Sequence, residues 1–203
     1  LMTGAVRSRP LGAVAEKKVG DWLDAKAKAT ANPFEQLVLQ GCQAELYDAR
    51  KRYDDAIKTY EAVLDRVKAL PPADQRKTQA DTYKNNLAML LALHRPADVD
   101  RGIALMTEVI AVRGPAAAYL DTRAVCFLVK GGRTAEAVED LKLALVQQHA
   151  AGYLFHMAWA YDQDVANRAR REPFLAEAQR LGITPADVHP LELRKFNELF
   201  LPR

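Results

Sequence analysis

Cysteine is nearly absent from this 203-residue chain: Cys42 and Cys126 are the only two, far apart and in no CxxC pattern. That count rules out a disulfide-stapled scaffold and a multi-cysteine zinc site. Each cysteine sits among core-like helical residues, so both read as buried free thiols, and a cytoplasmic location is expected. Charge of one sign is also scarce. The formal net charge is +3, and no run of five or six like charges occurs, so no continuous basic face for nucleic acid is expected. No apolar stretch approaches the ~18–20 residues of a membrane span, and Leu1 to Lys18 lacks the apolar core of a signal peptide.

Motifs for chemistry are missing as well. There is no glycine-rich phosphate or dinucleotide loop, no GxSxG elbow and no HExxH. Gly131-Gly132 follows a helical pattern and reads as a helix stop. The four histidines, His94, His149, His156 and His189, have no metal-ligand spacing with acids or cysteines; His149 and His156, seven apart, could share a helix face but make a poor site alone. Asp54, Asp55, Glu172 and Glu177 fall on expected helix surfaces, where ion pairing is the natural role. The sequence therefore predicts no catalytic residue, no metal and no cofactor, hence no enzyme.

What is present is helical and repetitive. Alanine and leucine recur throughout, 49% of residues are hydrophobic, and β-branched runs are short. Between Ala44 and Leu64, apolar residues return every three or four positions, and a polar turn near Arg50 to Arg52 splits the stretch into two amphipathic helices. Ala56 lets a neighbouring helix approach closely, with Tyr53 and Tyr60 beside it. The arrangement returns three times. Small residues of the first helices fall at Ala44, Ala88, Ala124 and Ala158, at spacings of 44, 36 and 34; those of the second helices fall at Ala56, Gly102 and Ala137, at 46 and 35. The first, longer interval places about ten extra residues in a linker at 69–77.

Ala44 to Leu64 and Gly132 to Leu145 resemble tetratricopeptide repeats, Asn85-Asn86-Leu87-Ala88 is similar to that family's first-helix motif, and the period near 34 is the family's own. The resemblance covers about Phe34 to Gly182. Arg180 to Pro185 and His189 to Glu192 resemble the closing segment of large bacterial proteins of this family. The resemblance implies an all-α, right-handed α–α superhelix (a solenoid) of about four helix pairs plus terminal capping helices. The expected organisation is an N-terminal helix over 1–32, either a cap or the second half of a repeat, pairs at about 34–68, 77–113, 115–149 and 151–182, and a C-terminal capping segment over 183–203. Asn32-Pro33 should start a helix, Thr134 should cap another, and Gly182 should end one. Two departures stand out. The fourth pair has Arg171 where a small residue is expected, and Pro173 should kink or split its last helix.

In the family the first helix of each pair lines the concave side. Mapped here, the inward positions are Cys42 and Glu45, then Asn85, Asn86 and Met89, then Asp121, Thr122 and Val125, then Phe155, His156 and Trp159. Asparagine suits a peptide ligand because its amide both donates and accepts, and Trp159 could anchor a side chain. The alternatives are local capping or solvent exposure for Asn85 and Asn86, and core packing with Tyr153 and Met157 for Trp159. The basic clamp with which some family members hold a terminal carboxylate is missing: Gly41, Glu45, Ala118 and Thr122 stand at those positions. Glu45 and Asp121 favour a neutral or basic ligand instead. The resemblance thus implies a scaffold binding a protein or peptide segment, with no nucleic-acid or membrane partner. The alternative is a C-terminal accessory module of a larger enzyme or assembly whose active domain lies upstream, for which a start at Leu1 before Met2 is suggestive. The apolar end, Leu199, Phe200 and Leu201, must be covered by the last repeat or by a second copy, which would make a homodimer.

Overall fold

The computed structural model describes residues 13–75 and 78–201. Its secondary structure there is entirely helical: α1 (Ala13–Ala29), α2 (Pro33–Ala49), α3 (Tyr53–Lys68), the short α4 (Pro72–Gln75), α5 (Ala80–His94), α6 (Val99–Arg113), α7 (Ala117–Lys130), α8 (Thr134–Gln147), α9 (Ala151–Gln163), α10 (Glu172–Arg180) and α11 (Leu193–Phe200). Three 3₁₀ segments, Pro96–Asp98, Val165–Arg171 and Pro190–Glu192, precede α6, α10 and α11. The described residues up to Leu90 form one compact unit and those from Leu91 onward another.

In the N-terminal unit α2 lies against both α1 and α3. Local chemistry sets its ends. Asn32 caps it through Oδ1, which accepts from the amides of Phe34 and Glu35, and Pro33 occupies the first turn, where its missing amide proton costs nothing. At the far end Lys51 N–H donates to Asp48 O and Arg52 N–H to Tyr47 O, closing a Schellman turn. Lys51 therefore holds φ +59°, a conformation that glycine normally supplies. The Arg52 guanidinium sits 4.4 Å from the centre of the Tyr47 ring across the same turn. Arg66 ties α3 to α2 by donating to both Gln36 and Gln40. The core of the unit contains Ala44, Ala56, Ile57, Tyr60, Val63, Tyr83, Leu87 and Ala88, all nearly inaccessible. In α1 Leu23 is buried, while Trp22 stays 58% exposed.

In the C-terminal unit α7 packs on α6 and α8, and α9 on α8 and α10. Ala117, Leu120 and Ala144 form one core cluster with Ile110 and Tyr153 packed against it. The α7–α8 hairpin is also held by a two-pronged ion pair, Arg123 to both oxygens of Asp140 at 2.7 and 2.8 Å. Gly114 and Gly131 end α6 and α7 with positive φ. Gly182 ends α10 in a second Schellman turn, with Gly182 N–H bonded to Gln179 O and Ile183 N–H to Ala178 O.

Two local expectations are corrected. Thr134 is the first helical residue of α8 and Arg133 takes the cap position without a side-chain bond. Pro173 does not fall in a helix interior. Asp164 caps a 3₁₀ stretch over Val165–Arg171 that absorbs the extra length, and Pro173 then falls in the first turn of α10, where it is tolerated. The small residue missing at Arg171 is provided seven residues later, about two turns on, by Ala178, which is fully buried.

Candidate functional site

The inward-facing residues expected from the sequence lie in two separate units and have different fates. In the N-terminal unit Glu45 on α2 is exposed, and Asn85, Asn86 and Met89 on α5 are half-buried. Asn86 Nδ2 donates to the Tyr60 hydroxyl at 3.1 Å. Asn85 Oδ1 is buried and accepts no hydrogen bond from the chain. The Tyr83 ring of α5 lies against the α2 backbone because Gly41 has no side chain: a Cβ there would enter the ring. Tyr83 in turn lies beside Tyr60 at a tilt of 32°, with ring centres 6.1 Å apart. Burial and neighbouring Asp48 raise the Glu45 carboxyl above its ordinary range, and burial, Cys42 and Glu45 together push the Tyr83 hydroxyl up to about 12. This face is thus an acid beside amides, a phenol and a thiol. Cys42 differs from expectation in being exposed. It stands on the Glu45 side of α2, away from the Leu37–Ala44 core stripe.

In the C-terminal unit all six expected residues are buried. Val125 and Phe155 are 0% exposed, Thr122 2%, His156 5%, and Asp121 and Trp159 8%. Part of the reason is helix packing, since α7 is apolar nearly all round from Ala124 to Leu128. The rest is that the C-terminal segment lies on α9 and covers His156, which bonds Asp121 of α7. His156 Nε2 meets Glu192 Oε1 at 2.8 Å while its Nδ1 meets Asp121 Oδ1 at 2.6 Å. The other Glu192 oxygen accepts the His189 amide at 2.9 Å, which closes a capping box at the start of Pro190–Glu192. Burial alone would lower the His156 pKa, but the two carboxylates reverse this and lift it to about 10, so the ring is an imidazolium with both N–H groups donating. Burial also acts against charge on Glu192, yet His156 and the His189 amide hold its carboxyl below the usual range. Asp121 is raised, since burial and Glu192 outweigh His156. Phe155 adds an aromatic cluster with Phe196 and Phe200 at 5.8 and 6.2 Å, and Lys195 donates to Asp162 at 2.7 Å.

A groove of about 750 Å³ that no sequence pattern signals opens in this unit, lined by residues of α6 to α9 and of the Val165–Arg171 stretch. Arg133 covers the Phe127 ring at 4.1 Å and Arg170 the Tyr161 ring at 4.9 Å. Its charge is mixed, because Glu136 pairs with Arg133 and Asp140 with Arg123. Cation–aromatic pairs one turn or more apart have no sequence period to reveal them. Among the described residues, no group of histidines, cysteines and carboxylates is arranged to hold a metal ion, and no helix is long and apolar enough to cross a membrane.

The sequence matches no protein-family model and no curated protein. Solved structures do match. The crystal structure of BtubC (BKLC) from P. vanneervenii superposes with a TM-score of 0.65 at 18% identity, over 85% of this chain and 75% of that one. A Podosopora anserina structure of nearly identical TPR-like repeats gives a TM-score of 0.59 at 18% identity, over 83% of this chain and 85% of that one. At such identity the likeness concerns fold. With four buried small-residue positions at Ala44, Ala88, Ala124 and Ala158 and helix pairs built around them, the chain has the all-α, tetratricopeptide-like helical-repeat fold.

Proposed function

We propose that this chain is a non-catalytic protein-interaction scaffold that binds a protein or peptide segment on the first-helix face of its repeats, in the N-terminal unit through Glu45, Asn85, Asn86 and Met89. The observation that carries this reading is the state of α2 and α5. Glu45 is accessible and its charge is raised in energy by burial and Asp48, while the buried Asn85 Oδ1 lacks a donor. A ligand bringing a cationic or amide N–H group to Glu45 would offset the raised energy of its charge. A neutral or basic extended segment suits such a face. The Asp121 charge contributes nothing to that preference, being already matched by His156. A non-catalytic reading is supported by the enclosure of His156, whose ring has both nitrogens engaged by Asp121 and Glu192.

Affinity capture with the full chain tests this reading. Glu45→Lys and Asn86→Ala should each lose partners that the unaltered chain retains, with helical content unchanged. Recovery of the same partners by both variants would sink the proposal.

A further inference from the structure

The C-terminal segment behaves as a ligand of the unit that it belongs to. Glu192, Phe196 and Phe200 are spaced four and eight residues apart, so they share one face of the helical segment Pro190–Phe200. That face meets α9, where His156 is backed in turn by Asp121 of α7. The carboxylate of Glu192 takes His156, Phe196 and Phe200 take Phe155, and Lys195 on the flank takes Asp162. The outward positions Arg194, Asn197 and Glu198 are exposed. A helix of eight residues has little stability alone, so the contacts hold it rather than its own propensity. The chain that tethers it, Leu181 to Asp187, is exposed at every residue but Ile183, and so adds little to its anchoring. The helices underneath have their own supports: the Ala117–Leu120–Ala144 cluster and the Arg123–Asp140 ion pair involve no residue beyond Tyr153.

Release of the segment would leave a defined imprint. Phe155 would lose two of its ring neighbours, Phe196 and Phe200, and the Nε2 proton of His156 would lose its acceptor, with Asp121 still on Nδ1. A replacement must therefore bring a carboxylate where Glu192 was, because a buried donor without a partner is costly, and aromatic rings one and two turns later. We propose that the α7–α9 face is a receptor for amphipathic helices carrying a carboxylate followed four and eight residues later by aromatic rings, and that Pro190–Phe200 is its resident, exchangeable occupant. This rests on reading the chain as a protein-binding module, and it gives the C-terminal unit a ligand chemistry opposite in charge to that of the Glu45 face.

The experiment uses the full chain and a labelled synthetic peptide spanning Ala186 to Leu201, with binding read by fluorescence anisotropy. A tethered segment competes at an effective concentration of roughly millimolar, so the unaltered chain should bind the free peptide at least tenfold more weakly than the Glu192→Gln/Phe196→Ala/Phe200→Ala chain. Adding His156→Gln to that variant, or Glu192→Gln to the peptide, should abolish binding. A folded triple variant that ignores the peptide overturns the proposal. Should the triple variant unfold, hydrogen exchange on the unaltered chain decides: α11 amides exchanging well ahead of α9 amides are expected, and simultaneous exchange of the two refutes an exchangeable segment. Neither outcome touches the Glu45 face, whose test is partner loss in Glu45→Lys, so the two readings fail separately.

Discussion

Gly41 and Tyr83 share one volume: the tyrosine ring fills the space that any Cβ at position 41 would need. The contact lies between buried backbone and a ring that is 2% exposed, so neither side can yield cheaply. Gly41→Ala should therefore destabilise the N-terminal unit, by about 1–3 kcal/mol as overpacked cores do, although alanine is the better helix former by about 1 kcal/mol. Urea denaturation checks it. Gly41→Ala combined with Tyr83→Leu should recover part of the loss.

At Lys51 the opposite substitution should help. A lysine at φ +59° bears the steric cost that glycine avoids, and its amide still closes the turn. Lys51→Gly is expected to stabilise by roughly 1 kcal/mol or somewhat less, since glycine also gains freedom when unfolded. A rise in Tm of the N-terminal unit is the measurement.

Asp140 is almost buried beneath the Arg123 fork. Asp140→Ala leaves a part-buried guanidinium unmatched and should cost roughly 2–4 kcal/mol. Replacing both residues by apolar ones, Arg123→Met with Asp140→Leu, should cost less than the single change. A double-mutant cycle in denaturant measures the difference.

The pH profile should show the buried imidazolium. His156 is faced by Asp121 on α7, by Glu192 on the C-terminal segment and by the Phe155 and Trp159 rings on its own helix. Its pKa rises from 6.5 to about 10 on folding, so its contribution is fully present below about 6.5 and is lost as pH rises toward 10. Glu192 has the reverse sign: its lowered pKa gives stability present above 4.5 and lost in stronger acid. Asp121, with a raised pKa, opposes Glu192 on the acid side. Denaturation at pH 6, 8 and 9.5 should show a steady alkaline decline that His156→Gln flattens.

The two thiols should separate cleanly. Cys42 is exposed, whereas Cys126 is buried and burial pushes its thiol up to about 12. A disulfide-exchange reagent should titrate one thiol in the native chain, slowly because burial and Glu45 also raise Cys42, and both in denaturant.

The repeat architecture was legible because it rests on local periods. Ala44, Ala56, Ala88, Ala124, Ala137 and Ala158, picked out by spacing, are all fully buried. Helix ends marked by Asn32-Pro33 and Gly182 were legible too, since capping is short-range chemistry. The face in the C-terminal unit was not. The sequence predicts a capping segment over 183–203, but His156 and Glu192 stand 36 residues apart, and His156 and Asp121 35, so no pattern along the chain signals the buried ion pairs beneath it. Pro173 misled for a related reason: its place depends on where the preceding 3₁₀ stretch lets α10 begin.

The same trio bears on how such a chain can diverge. One cation held between two anions means that losing His156 strands two carboxylates in the interior, while losing either carboxylate leaves a buried ring nitrogen without its partner. Positions 121, 156 and 192 should thus drift as a set across descendants of this sequence, an inherited coupling between α7, α9 and the C-terminal segment.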